Sequence, residues 1–112
     1  MRSIKGHILV PPNAPKRKAR VVSIEVHDIS VQDAPSKLVA QSILKNVQLE
    51  PNQQVSFHLN VPEASKASLA FRVHVDWDGD GSTASGDLLT TQVISVPPQA
   101  ELAVIEVPVT MI

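Results

Sequence analysis

The sequence contains no cysteine and no tyrosine, and only one tryptophan and two phenylalanines among its 112 residues. Without cysteine there can be no disulfide, thiol nucleophile or cysteine metal site. So few aromatic side chains argue against a platform on which bases or sugars stack. Apolar residues nevertheless make up 43% of the chain, and this composition is typical of a globular domain rather than a disordered one.

Long apolar runs and a strong charge of one sign are also missing. The apolar runs are a few residues long, far short of the roughly 20 that span a bilayer. The net charge of −1 argues against a nucleic-acid binder, which usually has a basic face. The opening MRSIKGHILV lacks the apolar segment and cleavage site of a secretory signal. We therefore expect a cytoplasmic protein if Met1 is native, and a periplasmic or membrane-anchored one if a signal peptide was removed.

Apolar and polar residues alternate with a period of two in most of the chain, which is the pattern of strands with one buried face. The apolar members of these segments are Ile4, Ile8 and Val10; Val22, Ile24 and Val26; Val55, Phe57, Leu59 and Val61; Leu69, Phe71, Val73, Val75 and Trp77; and Ala103, Ile105, Val107 and Val109. Segments 36–45 and 88–96 alternate more weakly. We predict that both are strands, although the apolar spacing in 36–45 also fits a short helix.

Prolines and Asp/Gly turns separate these segments, and proline cannot donate to a central ladder. About seven strands with frequent turn signals predict one domain over residues 1–112, an all-β antiparallel β-sandwich of the immunoglobulin-like or transthyretin-like kind. Because Pro108 interrupts the last segment, we expect that strand at a sheet edge.

The densest cluster of acidic residues lies between the fifth and sixth predicted strands. Residues 76–87 read DWDGDGSTASGD, which fits the twelve-residue calcium loop D-x-D-x-D-G-x5-[D/E]. A glycine at the sixth position, here Gly81, allows the sharp turn, and Ala84 at the ninth would leave one ligand to water. The predicted ligands are the carboxylates of Asp76, Asp78, Asp80 and Asp87 and the carbonyl of Ser82.

A second interpretation of this segment is an acidic turn without metal. Strand parity places Trp77 in the core and predicts that Asp76 and Asp78 point to the same solvated side. We expect the other two loop aspartates, Asp80 and Asp87, on that side too. Repulsion between carboxylates in water is weak, roughly 1 kcal/mol per close pair, so a hairpin without an ion is also stable. A bound Ca²⁺ would be structural, because nothing in the sequence beside the loop supplies a reaction.

Other candidate chemistry is sparse. The four histidines form no local ligand pair, and no serine stands in a nucleophile motif. We expect no catalysis, and a scattered serine triad is the rival interpretation. The basic run at residues 16–20, KRKAR, reads as a solvated loop, with a contact to phosphate or a membrane surface as the alternative.

Three segments together resemble a known family. "GHILVPPNAP", "VSIEVHDISVQDAPSKLVAQ" and "VHVDWDGDGSTASGDLLTTQVISV" are similar to the YbaY/YscW-type family of bacterial small lipoproteins and type III secretion lipoprotein chaperones, over roughly residues 5–97. The resemblance implies a β-sandwich without known catalysis. For the chaperone members it implies help for an outer-membrane secretin.

These observations predict a non-catalytic binding or chaperone-like module with a structural Ca²⁺ loop at 76–87. Its expected partner is another protein, an envelope or secretion component, and not a nucleic acid. The alternative is an accessory structural domain whose acidic hairpin binds no metal.

Overall fold

The computed structural model describes residues 2–30, 37–61, 68–92, 94–96 and 104–112. These ranges contain nine strands, namely β1 (Arg2–Leu9), β2 (Arg17–Asp28), β3 (Lys37–Leu49), β4 (Gln54–Val61), β5 (Leu69–Asp76), β6 (Leu88–Leu89), β7 (Ile94–Ser95), β8 (Val104–Pro108) and β9 (Thr110–Met111). The predicted all-β class is confirmed, and β3 confirms that the segment around 36–45 is a strand and not a helix.

The strands form two sheets. The small sheet has the order β4-β1-β8, in which β1 is antiparallel to β4 and parallel to β8. The large sheet has the order β3-β2-β5-β6-β9, with β7 also paired to β5, and all of its described pairs are antiparallel. Pro108 lies in β8 at an edge of the small sheet, as its missing donor predicts.

The segment 88–96 is not one strand, because its pairing with β5 is interrupted. Four residues lie between Leu89 and Ile94, but only two lie between their partners on β5, His74 and Phe71. Thr90 fills the gap, since its N–H donates to the Val73 carbonyl at 3.1 Å and its hydroxyl accepts from the Val73 N–H at 3.3 Å. A side-chain oxygen therefore replaces a backbone carbonyl in the ladder, and the strand divides into β6 and β7.

The hydrophobic core lies between the sheets and contains the inward side chains that the alternation predicted for β1, β2, β4 and β5. In the last predicted segment Val107 and Val109 are buried, Ile105 is partly buried, and Ala103 lies outside the described residues. Phe57 of β4 and Phe71 of β5 join the two sheets in an edge-to-face contact with ring centroids 5.6 Å apart. Trp77 is buried, as its parity with Val73 and Val75 predicted. Within the described ranges there is no helix with the length and apolar character needed to cross a membrane.

Candidate functional site

The acidic loop begins at Asp76, the last residue of β5. The chain turns back over this side chain, so that Asp76 Oδ1 accepts the Gly79 N–H at 2.9 Å and Oδ2 accepts the Gly81 N–H at 2.8 Å. Gly81 makes the turn with a φ of 80°, a conformation that side-chain-bearing residues rarely adopt. The carboxylate therefore organises the first half of the loop.

The charge of Asp76 is favoured inside the fold. Burial, the largest single cause, raises the pKa of this carboxyl group, but the N–H donors of Gly81, Gly79 and Asp78 and the nearby His74 together outweigh it. The pKa of Asp76 consequently lies below its ordinary value.

Asp87 organises the second half of the loop. Its Oδ2 accepts the Ala84 N–H at 3.0 Å and lies 2.8 Å from His74 Nε2, which donates to it. Gly86 accepts the Trp77 indole N–H at 2.8 Å, so the loop is also tied to the core. Buried groups thus hold both halves of the loop, which covers one end of the outer face of the large sheet.

The structure brings together two of the five predicted calcium ligands. Potential ligand atoms of Asp76 and Asp87 lie within 4.8 Å of each other and of one on His74. Asp78 is instead exposed and bonds through Oδ1 to Arg17 Nη2 at 3.2 Å. Asp80 Oδ1 accepts the Ser82 N–H at 2.9 Å, and both residues are exposed.

The prediction that all four loop aspartates lie on the solvated side is wrong for Asp76 and Asp87, which are each only 2% exposed. Strand parity does place the Asp76 side chain on the outer face of the sheet, beside that of His74. However, residues 79–81 fold back over that face and cover it. The prediction failed because the cover comes from residues beyond the strand.

Sequence reasoning also missed His74 as a member of this cluster. The signal was present in the spacing, because His74 precedes Asp76 by two residues on one strand and so shares its face. The register adds the third member, since His74 pairs with Leu89, two residues beyond Asp87. Asp87 can be assigned to the cluster with His74 and Asp76 only when that register is known.

The 76–87 loop closes one end of a groove on the outer face of the large sheet. A cleft of about 360 Å³ here is lined by Val21, Ser23, Glu25, Ile43, Arg72, His74, Asp76, Gly81, Thr83 and Leu89. A second cleft of about 300 Å³ adjoins it along β5 and shares Arg72 and Leu89 with the first. We call the two clefts together the outer groove.

Arg72 stands at the middle of the outer groove and has no hydrogen-bond or ion-pair partner among the described residues. Its cross-strand neighbour Glu25 is engaged elsewhere, because its two oxygens accept from His27 at 2.8 Å and from Gln41 at 3.3 Å. The same cleft has an apolar flank, where Ile43 is 50% exposed. The groove thus combines an unpaired cation with an exposed apolar side chain.

No protein-family model and no curated protein matches this chain. Among solved structures, the chain is similar to an alternative pilotin from the type II secretion system of Vibrio cholerae, with a TM-score of 0.64 and 18% sequence identity. The alignment covers 97% of this chain and 96% of the pilotin. At this identity the likeness shows a common fold, and membership of the YbaY/YscW-type family stays a prediction.

Proposed function

We propose that this chain is a non-catalytic, chaperone-like module that holds a segment of another protein in the outer groove. The observation that carries the proposal is the unpaired Arg72 at the centre of a groove with an exposed apolar flank. The likeness to a pilotin supports the same function, because it extends over nearly the whole of both chains.

The chemistry of the groove defines the segment that it would accept. Arg72 offers a planar set of donors that suits a carboxylate. Ile43 and Leu89 lie on either side of the cleft and offer apolar surface. We therefore expect a segment in which an Asp, a Glu or a terminal carboxylate stands among apolar side chains, and we propose a secretion-apparatus component as its source.

A catalytic role has less support from the described residues. Two serine–histidine hydrogen bonds, Ser56 with His7 and Ser3 with His58, join strands of the small sheet. No carboxylate among the described residues bonds to either of these histidines. A serine nucleophile needs a base that a third group orients. We propose that both pairs are cross-strand contacts of the sheet surface.

The proposed binding function is tested by capture of the partner. We expect the wild-type chain, immobilised and exposed to envelope extract of its own host, to retain a secretion component that mass spectrometry identifies. Ile43→Asp and Arg72→Glu should each reduce capture at least tenfold, because they place a negative charge where apolar surface or a cation now lies. Asn60→Asp, on the exposed face of the small sheet, is the matched control. Equal capture by all four proteins would contradict the proposal.

We also propose that the 76–87 loop binds Ca²⁺ as a structural ion. Two observations support this: the first and last ligand positions, Asp76 and Asp87, lie close together, and Gly81 makes the sharp turn of the sixth position. Asp78 and Asp80 would turn inward on binding. The hydrogen bonds of the loop equally support the metal-free alternative, because they hold its backbone without an ion.

Calcium titration separates the two alternatives. At a hundredfold excess of Ca²⁺ over its Kd, binding should add about 2.7 kcal/mol to the free energy of unfolding. The emission of Trp77 should change with it, since this is the one tryptophan and no tyrosine is present. Asp78→Asn with Asp80→Asn should abolish both effects. If millimolar Ca²⁺ changes neither emission nor melting temperature, the metal-free alternative is correct.

A further inference from the structure

The basic run of residues 16–20 is not an isolated loop, because the fold gathers it with a further cation. Arg17, Lys18 and Arg20 lie at the start of β2, and Lys45 of β3 pairs with Val21 beside them. We define the basic corner as Lys16, Arg17, Lys18, Arg20 and Lys45. All five side chains are exposed, and three of them line a shallow cleft of about 720 Å³ whose other lining residues are Asn46, Trp77 and Asp78.

Two of these cations already have partners. Lys16 Nζ lies 3.4 Å from Glu50 Oε1, and Arg17 bonds to Asp78 while its guanidinium carbon lies 5.5 Å from the centroid of the Trp77 ring. The remaining three, Lys18, Arg20 and Lys45, have no hydrogen-bond or ion-pair partner among the described residues.

The cations of the basic corner outnumber the carboxylates that pair with them. Five of the ten Lys and Arg residues lie in it, and together with the two carboxylates that pair with them they sum to +3, in a chain whose net charge is −1. The other residues therefore carry −4. A local excess of positive charge attracts an anionic surface even though the chain as a whole is slightly acidic.

The ligand chemistry that fits the corner is phosphate, and we propose that it is supplied by the headgroups of an anionic lipid surface. The unpaired cations are dispersed over two strands, with Lys18 and Arg20 at the cleft and Lys45 on the neighbouring strand. Lipid phosphates, which move independently, can pair with cations at such spacing. A nucleic acid fits less well. Trp77 is the one aromatic side chain at the corner and is 4% exposed, so that no base can stack on it.

The contact is electrostatic and of modest strength. Each Lys or Arg near an anionic leaflet strengthens binding roughly fivefold, and the gain decays within a Debye length of about 8 Å at physiological salt. Three free cations thus hold this corner against the lipid surface once the protein is near it. This inference does not depend on the outer groove, which is lined by other residues.

Vesicle co-sedimentation tests the proposal. At low salt the wild-type chain should sediment with phosphatidylcholine vesicles that contain phosphatidylglycerol, but not with phosphatidylcholine alone. Lys18→Gln with Arg20→Gln should reduce the partition coefficient roughly 25-fold, and Lys45→Gln alone roughly fivefold. The matched control is Lys5→Gln with Lys37→Gln, which removes the same charge from exposed positions elsewhere and should change partition less than twofold.

Several results would overturn the proposal. Equal losses in the two double variants would show that net charge alone governs binding, and equal partition onto neutral vesicles would exclude the electrostatic contact. If inorganic phosphate shifts Trp77 emission at concentrations that leave vesicle binding unchanged, the corner is a site for free phosphate. Tighter binding to a duplex RNA than to the anionic vesicles at equal salt would assign the corner to nucleic acid.

Discussion

Asp76→Ala is expected to lower the free energy of unfolding by about 3 kcal/mol. The substitution leaves the Gly79 and Gly81 N–H groups without their acceptor, and hydrogen bonds to a charged group contribute about 1.5–3 kcal/mol each. Urea unfolding followed by Trp77 emission measures the loss, because the Trp77 indole N–H donates to the carbonyl of Gly86 in this loop. The experiment is done in a metal chelator, so that an effect on Ca²⁺ binding does not contribute.

The control for this prediction is Asp80→Ala. Asp80 belongs to the same loop and also accepts one backbone N–H, but it is exposed. We therefore expect Asp80→Ala to lower the free energy of unfolding by less than about 1 kcal/mol. Losses of equal size for the two variants would mean that the buried carboxylate does not organise the loop.

The difference between the wild type and Asp76→Ala should also depend on pH. The pKa of Asp76 is lowered in the folded protein, so its stabilising contribution is complete above the unfolded-state pKa of about 3.9. It is lost as the pH falls through the lower, folded-state pKa. Unfolding curves at neutral pH and at successively lower pH values should therefore converge only in strong acid. A difference that is already gone at pH 5 would contradict this linkage.

Gly6→Ala is the second substitution with a large expected effect, because it should lower the free energy of unfolding by about 2–3 kcal/mol. A Cβ atom at this position would lie 2.5 Å from Phe57 Cζ and 2.6 Å from the carbonyl oxygen of Ile105. Because Gly6 is in the middle strand of the small sheet, both neighbouring strands are affected: Phe57 must leave its contact with Phe71, and β8 must shift. Thermal and urea unfolding measure the effect.

A double variant separates the two clashes at Gly6. Phe57→Leu removes the ring atoms but not the Ile105 carbonyl. The double variant Gly6→Ala with Phe57→Leu should therefore lose less free energy of unfolding than the two single variants lose in sum. Gln54→Ala, at an exposed position of the same strand as Phe57, should change stability by less than about 0.5 kcal/mol. A wild-type melting temperature for Gly6→Ala would show that the sheets are not packed this closely.

The sequence predicted the sheets well wherever one face of a strand is simply buried. Alternation of Val, Ile and Phe placed the inward residues of β1, β2, β4 and β5 correctly, because burial against the facing sheet is what selects them. It did not predict the break between β6 and β7, since the hydroxyl of Thr90 takes the place of a backbone carbonyl there. That substitution depends on the register with Val73, which no local pattern contains.

The candidate site was predicted less completely, for a related reason. The composition of residues 76–87 identified the loop and its tight turns. It could not show that Asp76 and Asp87 are covered by the loop's own backbone, or that His74 joins them. The outer groove was not predicted at all, because the isolation of Arg72 arises only when Glu25 bonds to two other side chains.

The most direct test of the proposed binding function is photo-crosslinking from inside the outer groove. A photoreactive amino acid replaces Ile43 in one variant and Asn60, on the exposed face of the small sheet, in another; both are expressed in the native host and irradiated. We predict one specific crosslinked partner from position 43, identified by mass spectrometry as a secretion-apparatus component, and none from position 60. Crosslinking of the same proteins from both positions, or from neither, would contradict the account.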